Sequence, residues 1–118
     1  MDLTIGNLMQ MQRELFEPHK EKWPPMEPEY GKDYILFMVE EIGEVISILK
    51  KKGGSAVMEQ PEVRRAFLEE MADVLMYYTD VLLRFGVTPE EMSEAFAHKH
   101  NRDMHRDYTR EYEDKYHG

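Results

Sequence analysis

The chain has 118 residues, 42% of them hydrophobic, which suits one domain (1-118) with a modest core and excludes a disordered chain. Its formal net charge of -9 argues against a binder of nucleic-acid polymers or membrane surfaces, so an anionic substrate needs a local cation to dock. There is no cysteine for disulfides or thiolate metal sites, MDLTIGNLMQMQRELF lacks a signal-peptide pattern, and no apolar run spans a membrane, so a soluble cytoplasmic protein is expected.

β-branched alternation is scarce and no segment reads as a strand. The expected class is all-α, an antiparallel bundle of four main helices. The first is expected over 3-22, with Leu8, Met11, Leu15 and Phe16 as its apolar stripe and Pro18 as a weak point. KWPPMEPEYG is a proline-rich connection. The second helix, 32-52, closes with lysines that favour the negative end and a glycine that supplies the stop. GGSAVMEQ reads as a loop. The third helix, 61-85, carries Pro61 in its first turn and stops at Gly86. Thr88, Pro89 and Glu91 form a capped start for the fourth, 89-110. From Asp103 onward the chain is highly charged.

FMVEEIGEVISI, within the second helix, puts three glutamates into an apolar segment. On a helical wheel Ile35, Met38, Ile42, Val45, Ile46 and Leu49 share the expected core face. A second stripe, Phe37, Glu41, Glu44 and Ile48, is apolar at its ends and anionic in the middle, while Glu40 points further out. The third helix repeats the device. Met71, Leu75, Tyr78, Leu82 and Phe85 form its expected core face, with Phe67, Glu70, Val74, Tyr77 and Val81 alongside and Asp73 one turn from Glu70. Glu44 lies about 12 Å before Lys52, and Glu70 about 13 Å after Pro61, so in an antiparallel hairpin the acids meet at one level.

Glu41, Glu44, Glu70 and Asp73 together repel one another and lose solvation, which a hard divalent cation relieves. All-oxygen ligation and the lack of a histidine in either cluster favour Mg²⁺, with Mn²⁺ as substitute, over iron or zinc. Four carboxylates have room for one ion or two. Against this, a glutamate-rich helix face is commonly just solvated.

The motif Glu40-Glu41-Ile42-Gly43-Glu44, then 25 residues, then Glu70-Met71-Ala72-Asp73, resembles the signature of the all-α nucleoside triphosphate pyrophosphohydrolases. This superfamily includes MazG-like proteins, dimeric dUTPases and dCTPases. DVLMYYTDVLLRFGVTPEEM also resembles the helix, turn and helix start of MazG-like chains, and the likeness covers roughly 32-106. It implies Mg²⁺-dependent hydrolysis of a nucleoside or deoxynucleoside triphosphate to the monophosphate and pyrophosphate, as in nucleotide-pool house-cleaning. By position Glu41, Glu44, Glu70 and Asp73 match the family's metal ligands, and Glu41 or Glu40 is the candidate catalytic base for an attacking water. The alternative is a non-catalytic metal-binding or protein-interaction module of the same fold.

The family's late basic motif has its counterpart in HKHNRDMHRDY. Lys99, Arg102 and Arg106 fall on one helical stripe and are the candidate phosphate contacts, unless they merely pair with neighbouring acids such as Asp103. Asp103 stands where the family pattern has Asn, and Asn101 is the candidate sugar or phosphate contact in its place. Base recognition in the family involves the first helix and its following loop, where Gln12, His19 and Trp23 are the candidates; Trp23 is equally well a plug beside two prolines. The resemblance also implies a homodimer or homotetramer.

Overall fold

The computed structural model describes residues 1–106 and 108–116, and of Tyr108, Tyr112 and Tyr116 the backbone alone. Thr4 opens α1 (Ile5–Phe16): its hydroxyl accepts from the Asn7 backbone N–H at 3.0 Å, and the Asn7 side chain accepts from the Thr4 N–H at 2.9 Å. This reciprocal cap satisfies two otherwise orphaned donors. The helix expected over 3-22 ends at Phe16. Pro18 has no N–H to continue the ladder, and the chain tightens into a 3₁₀ turn at Glu17–His19.

After a second 3₁₀ turn at Pro28–Tyr30 come α2 (Gly31–Lys52), α3 (Gly54–Glu59) and α4 (Pro61–Arg84). Gly53, at φ 85°, turns the chain out of α2 through the left-handed region that side chains disfavour. The segment read as a loop thus contains a short helix. Its Ala56 and Val57 bury against Val63, with Ile48 and Phe67 packed around them. Tertiary burial of this kind supports a helix too short to stand alone.

The fourth expected helix, 89-110, is two: α5 (Pro89–Met104) and α6 (Tyr108–Tyr116). No glycine or proline marks the break. Instead the His105 ring donates to the Asn101 carbonyl at 2.7 Å, while the backbone N–H of His105 and of Arg106 reach only three residues back, to Arg102 and Asp103. The side chain has taken the acceptor the next helical N–H needed, and the turn tightens.

The chain falls into two compact units, Met1–Thr88 and Pro89–Gly118. In the first, α2 packs along α4, and α1 and α3 also pack against α4. The pairing of α2 with α4 is antiparallel: Tyr34 meets Tyr77 near one end, Glu41 meets Glu70 and Asp73 in the middle, and Ile48 joins the Val57–Val63 cluster near the other. Phe85 closes tightly over Gly31, where any Cβ would collide with its ring. All the described elements are helical, and among the described residues no helix is long and apolar enough to cross a membrane.

The inward stripe of α2 runs between the two expected ones: of the expected core face Val45 is buried and Met38 half-buried. Ile35, Ile42, Ile46 and Leu49, assigned to the core face, are exposed, and so are Met71, Leu75 and Phe85 of α4. Tyr34, Met38, Glu41, Val45 and Ile48, at spacings of four and three, are turned to the rest of the unit, whereas Phe37 is exposed at its edge. Periodicity identifies an apolar face but not what covers it. The most enclosed side chains are polar: Thr79, Asp80 and Arg84, with Tyr34 and Gln12 beside them.

Candidate metal centre and adjoining cleft

Glu41 on α2 and Glu70 and Asp73 on α4 come together. Each offers a carboxylate oxygen, and the three atoms lie within 4.8 Å of one another. All three side chains are half-buried. The spacing of three from Glu70 to Asp73 puts both on neighbouring turns of one helix, and the antiparallel pairing brings Glu41 opposite them. Glu44, one turn further along α2, is exposed and outside this trio, but its charge acts on Glu41. Glu40 is exposed.

Crowding shows in the protonation of Glu41, whose carboxyl is pushed up to about 7. The largest cause is a hydrogen bond shared with Glu70, which needs a proton between the two oxygens. Burial adds to it, as do the charges of Asp73, Glu70 and Glu44. The donor set would suit a hard divalent cation: three carboxylate oxygens within 4.8 Å of one another, with no nitrogen or sulfur among them.

This crowding has a testable sign. A carboxyl whose folded pKa lies above its unfolded value of 4.5 binds a proton that the unfolded chain does not. Its contribution to stability is full below that unfolded value and is lost as pH rises through about 7. A cation that replaces the proton restores it. The gain in melting temperature on adding Mg²⁺ should therefore be small near pH 5 and grow to a plateau above about pH 7.5. A Mg²⁺ response that is flat across this window, or retained by Glu41→Gln, would remove Glu41 from the cation site.

The trio borders a cleft of about 370 Å³, lined by Glu41 and Asp73 and by Gln12, Trp23, Phe37 and Tyr77 among others. That volume suits a small organic ligand. Trp23, Tyr34, Phe37 and Tyr77 give it aromatic walls beside the polar Gln12, Glu41, Asp73 and Asp80. Phe37 and Tyr77 stand 6.0 Å apart between ring centroids, and Tyr34 meets Phe37 edge-on at 5.2 Å. The Tyr77 hydroxyl is held above its ordinary pKa, first by burial and then by the charge of Glu41, so it stays protonated and able to donate.

Of the three base-contact candidates, Gln12 and Trp23 line this cleft. His19 stacks flat on Trp23, ring centroids 4.3 Å apart, and its Nδ1 donates to the Leu15 carbonyl at 2.9 Å. Its contacts brace the indole. The remaining candidates belong to the second unit. Lys99 pairs with Asp103 at 2.7 Å, and Arg106 pairs with Asp103 at 3.2 Å and Glu111 at 2.7 Å. The Lys99 hydrogen bond, followed by that of Arg106, holds Asp103 below its usual carboxylate range. Arg106 lies beyond the end of α5, so Lys99, Arg102 and Arg106 do not share one helix as the stripe required. Arg102 and Asn101 are exposed on α5.

Sequence reasoning passed over Asp80 and Arg84. Arg84 donates through Nε to Asp80 and through Nη1 to the carbonyls of Pro24 and Pro25, and its guanidinium lies 3.6 Å from the Tyr34 ring centroid. It thereby ties the Trp23–Pro24–Pro25 loop to α2 and α4. The available signal was an Asp and an Arg at i and i+4 inside the apolar run VLMYYTDVLLRF. Comparison with known proteins finds no family model, no curated protein and no solved structure that matches this chain.

Proposed function

We propose that the protein hydrolyses a nucleoside or deoxynucleoside triphosphate to the monophosphate and pyrophosphate with Mg²⁺ or Mn²⁺, as a MazG-like all-α pyrophosphohydrolase with an antiparallel four-helix fold. The observation that carries this reading is the convergence of Glu41, Glu70 and Asp73 at an aromatic-lined cleft. Hard-cation ligands beside aromatic surfaces with a few polar groups are what a phosphate-bearing base requires. The resemblance of the EExxE and ExxD motifs supplies the reaction.

In this reading Glu41, Glu70 and Asp73 would hold the cation, and Glu44, one turn further along α2, is the fourth candidate ligand. When bound, the cation neutralises the phosphates and lowers the pKa of a coordinated water. Hydrolysis adds water across the α,β-anhydride. One P–O bond to the bridging oxygen breaks and a new one to the water oxygen forms, and the proton released passes to Glu41 or Glu40, whichever carboxylate is left off the cation. The aromatic walls hold the base and keep bulk water from it. No part of the reading rests on the cations of the second unit.

The test is a panel of nucleoside triphosphates assayed with and without Mg²⁺, detecting pyrophosphate and orthophosphate separately. Metal-dependent pyrophosphate release is expected. Cation binding with no turnover of any nucleotide would leave a metal-binding helical module, and orthophosphate release alone would refute cleavage at the α,β-bond.

The reading includes a second copy of the chain. Val39, Ile42 and Ile46 on α2 and Leu68, Met71 and Leu75 on α4 are exposed, at spacings of three and four residues. Covering such a stripe is strongly favourable in water. Native mass spectrometry should give at least twice the 14.1 kDa of the chain. Ile42→Glu with Met71→Glu should give the single chain, while a wild-type monomer at micromolar concentration would exclude this assembly.

A further inference from the structure

Arg84 stands behind the wall of the cleft, with none of its side-chain surface exposed. Three residues that line the cleft depend on it. Asp80 accepts from its Nε, and the Tyr34 ring lies against its guanidinium at 3.6 Å. Trp23 heads the segment whose next two carbonyls, of Pro24 and Pro25, accept from its Nη1. A buried ion pair is a poor source of stability, because an apolar pair of similar volume does as well or better. What an apolar pair cannot do is hold carbonyls in a set direction.

Trp23-Pro24-Pro25 is a stiff link. Each proline ring fixes its own φ, and the residue before a proline is biased toward extended backbone. A hold on the two proline carbonyls is therefore passed to the indole with little slack. From the other side the Trp23 backbone N–H donates to the His19 carbonyl at 2.9 Å, His19 stacks on the indole, and Phe16 meets it tilted at 6.4 Å. Trp23 is thus pinned on both sides, yet it stays half-buried where it lines the cleft. We propose that Arg84 is a positioning residue for ligand binding: through the Pro24 and Pro25 carbonyls it fixes the Trp23 indole as a rigid wall, against which the organic part of the ligand packs. The role takes the ligand's identity from the nucleotide reading above. The acidic trio sits on α2 and α4 and not on the loop, so the tether serves the organic part of the ligand and not the cation.

Trp23 is the only tryptophan of the chain, so its emission reports the loop directly. Two variants loosen the tether without touching the indole or the trio. Arg84→Lys commits one point charge to Asp80, and Asp80→Asn/Arg84→Met removes both charges while keeping the shape at position 80. In each, acrylamide quenching of Trp23 in the folded protein should rise by about twofold or more. Metal-free titration with the common deoxynucleoside monophosphates should show binding weakened about tenfold, the contribution of one base–aromatic stack. The dissociation constant for Mg²⁺ alone should stay within about twofold, because the trio is an independent site. With a triphosphate and Mg²⁺, KM should rise while kcat holds. A merely structural pair would lower melting temperature and leave quenching and affinity alone.

Unchanged quenching, or unchanged nucleotide affinity, in a folded variant would overturn the positioning role and leave the hydrolase reading standing. Equal loss of Mg²⁺ and nucleotide binding would overturn it too, as the mark of general loosening. If wild type binds neither a monophosphate nor a triphosphate with Mg²⁺, the nucleotide reading fails and quenching alone decides the tether. Should neither variant fold, wild type decides. Its Trp23 emission and helical circular dichroism should change together along a urea gradient, and an indole that loosens first would overturn the tether.

Discussion

Glu41→Gln and Asp73→Asn are each expected to lower Mg²⁺-dependent pyrophosphate release by about 10²-fold or more. Each keeps the shape of the side chain and removes one of the three charges that converge between α2 and α4. Loss of a ligand from a cation that stabilises developing phosphate charge costs several kcal/mol of transition-state stabilisation, and each 1.36 kcal/mol is a factor of ten. Stability should move the other way. Without metal, Glu41 is crowded by Glu70, Asp73 and Glu44, so Glu41→Gln should melt at the same or a higher temperature than wild type above about pH 7. Lower activity with undiminished stability separates a binding site from a structural one. Glu69→Gln supplies the control: Glu69 is exposed on the same helix and outside the trio. Full turnover in either variant would take these residues out of the site.

Arg84→Met should destabilise the fold by about 3–5 kcal/mol, read from urea unfolding. Both partners of the Arg84–Asp80 pair are almost completely enclosed, with 0% and 1% of their side-chain surfaces exposed. Removing the guanidinium leaves a buried carboxylate with only a long hydrogen bond from Gln12 at 3.4 Å. It also frees the Pro24 and Pro25 carbonyls and removes the cation from the face of Tyr34. The double variant Asp80→Leu/Arg84→Met should recover much of the loss, because an apolar pair carries no desolvation penalty. Arg84→Lys should fall between, since a point charge cannot reach Asp80 and two carbonyls at once. A loss below about 1 kcal/mol in Arg84→Met would show that the pair is solvated in solution and holds nothing in place.

The helices were largely legible because their punctuation is local. Gly53, Pro61, Gly86 and Pro89 each mark an end or a start that backbone geometry enforces wherever the segment packs. That the acids of α2 and α4 meet at one level follows from counting helical rise, made on Glu44 and Glu70; the structure brings Glu41 rather than Glu44 to Glu70 and Asp73. Where the cause is not local, the sequence says less. The end of α5 depends on a His105 ring reaching the Asn101 carbonyl, and the helicity of α3 on burial of Ala56 and Val57 against α4. Neither carries a glycine or proline to announce it.

The sequence alone determined an all-helical chain, acidic and without cysteine, with two acidic motifs that an antiparallel hairpin brings level. Only the tertiary structure decided which apolar stripe of α2 faces inward, because periodicity is blind to partners. Packing on α4 takes the stripe of Tyr34, Glu41, Val45 and Ile48 and leaves Ile42 and Ile46 outside. Tertiary structure alone also joined Gln12 to Asp80, 68 residues apart, and hung the Trp23 loop on Arg84. Those contacts connect separate elements, and no local rule of spacing reaches from one to the other.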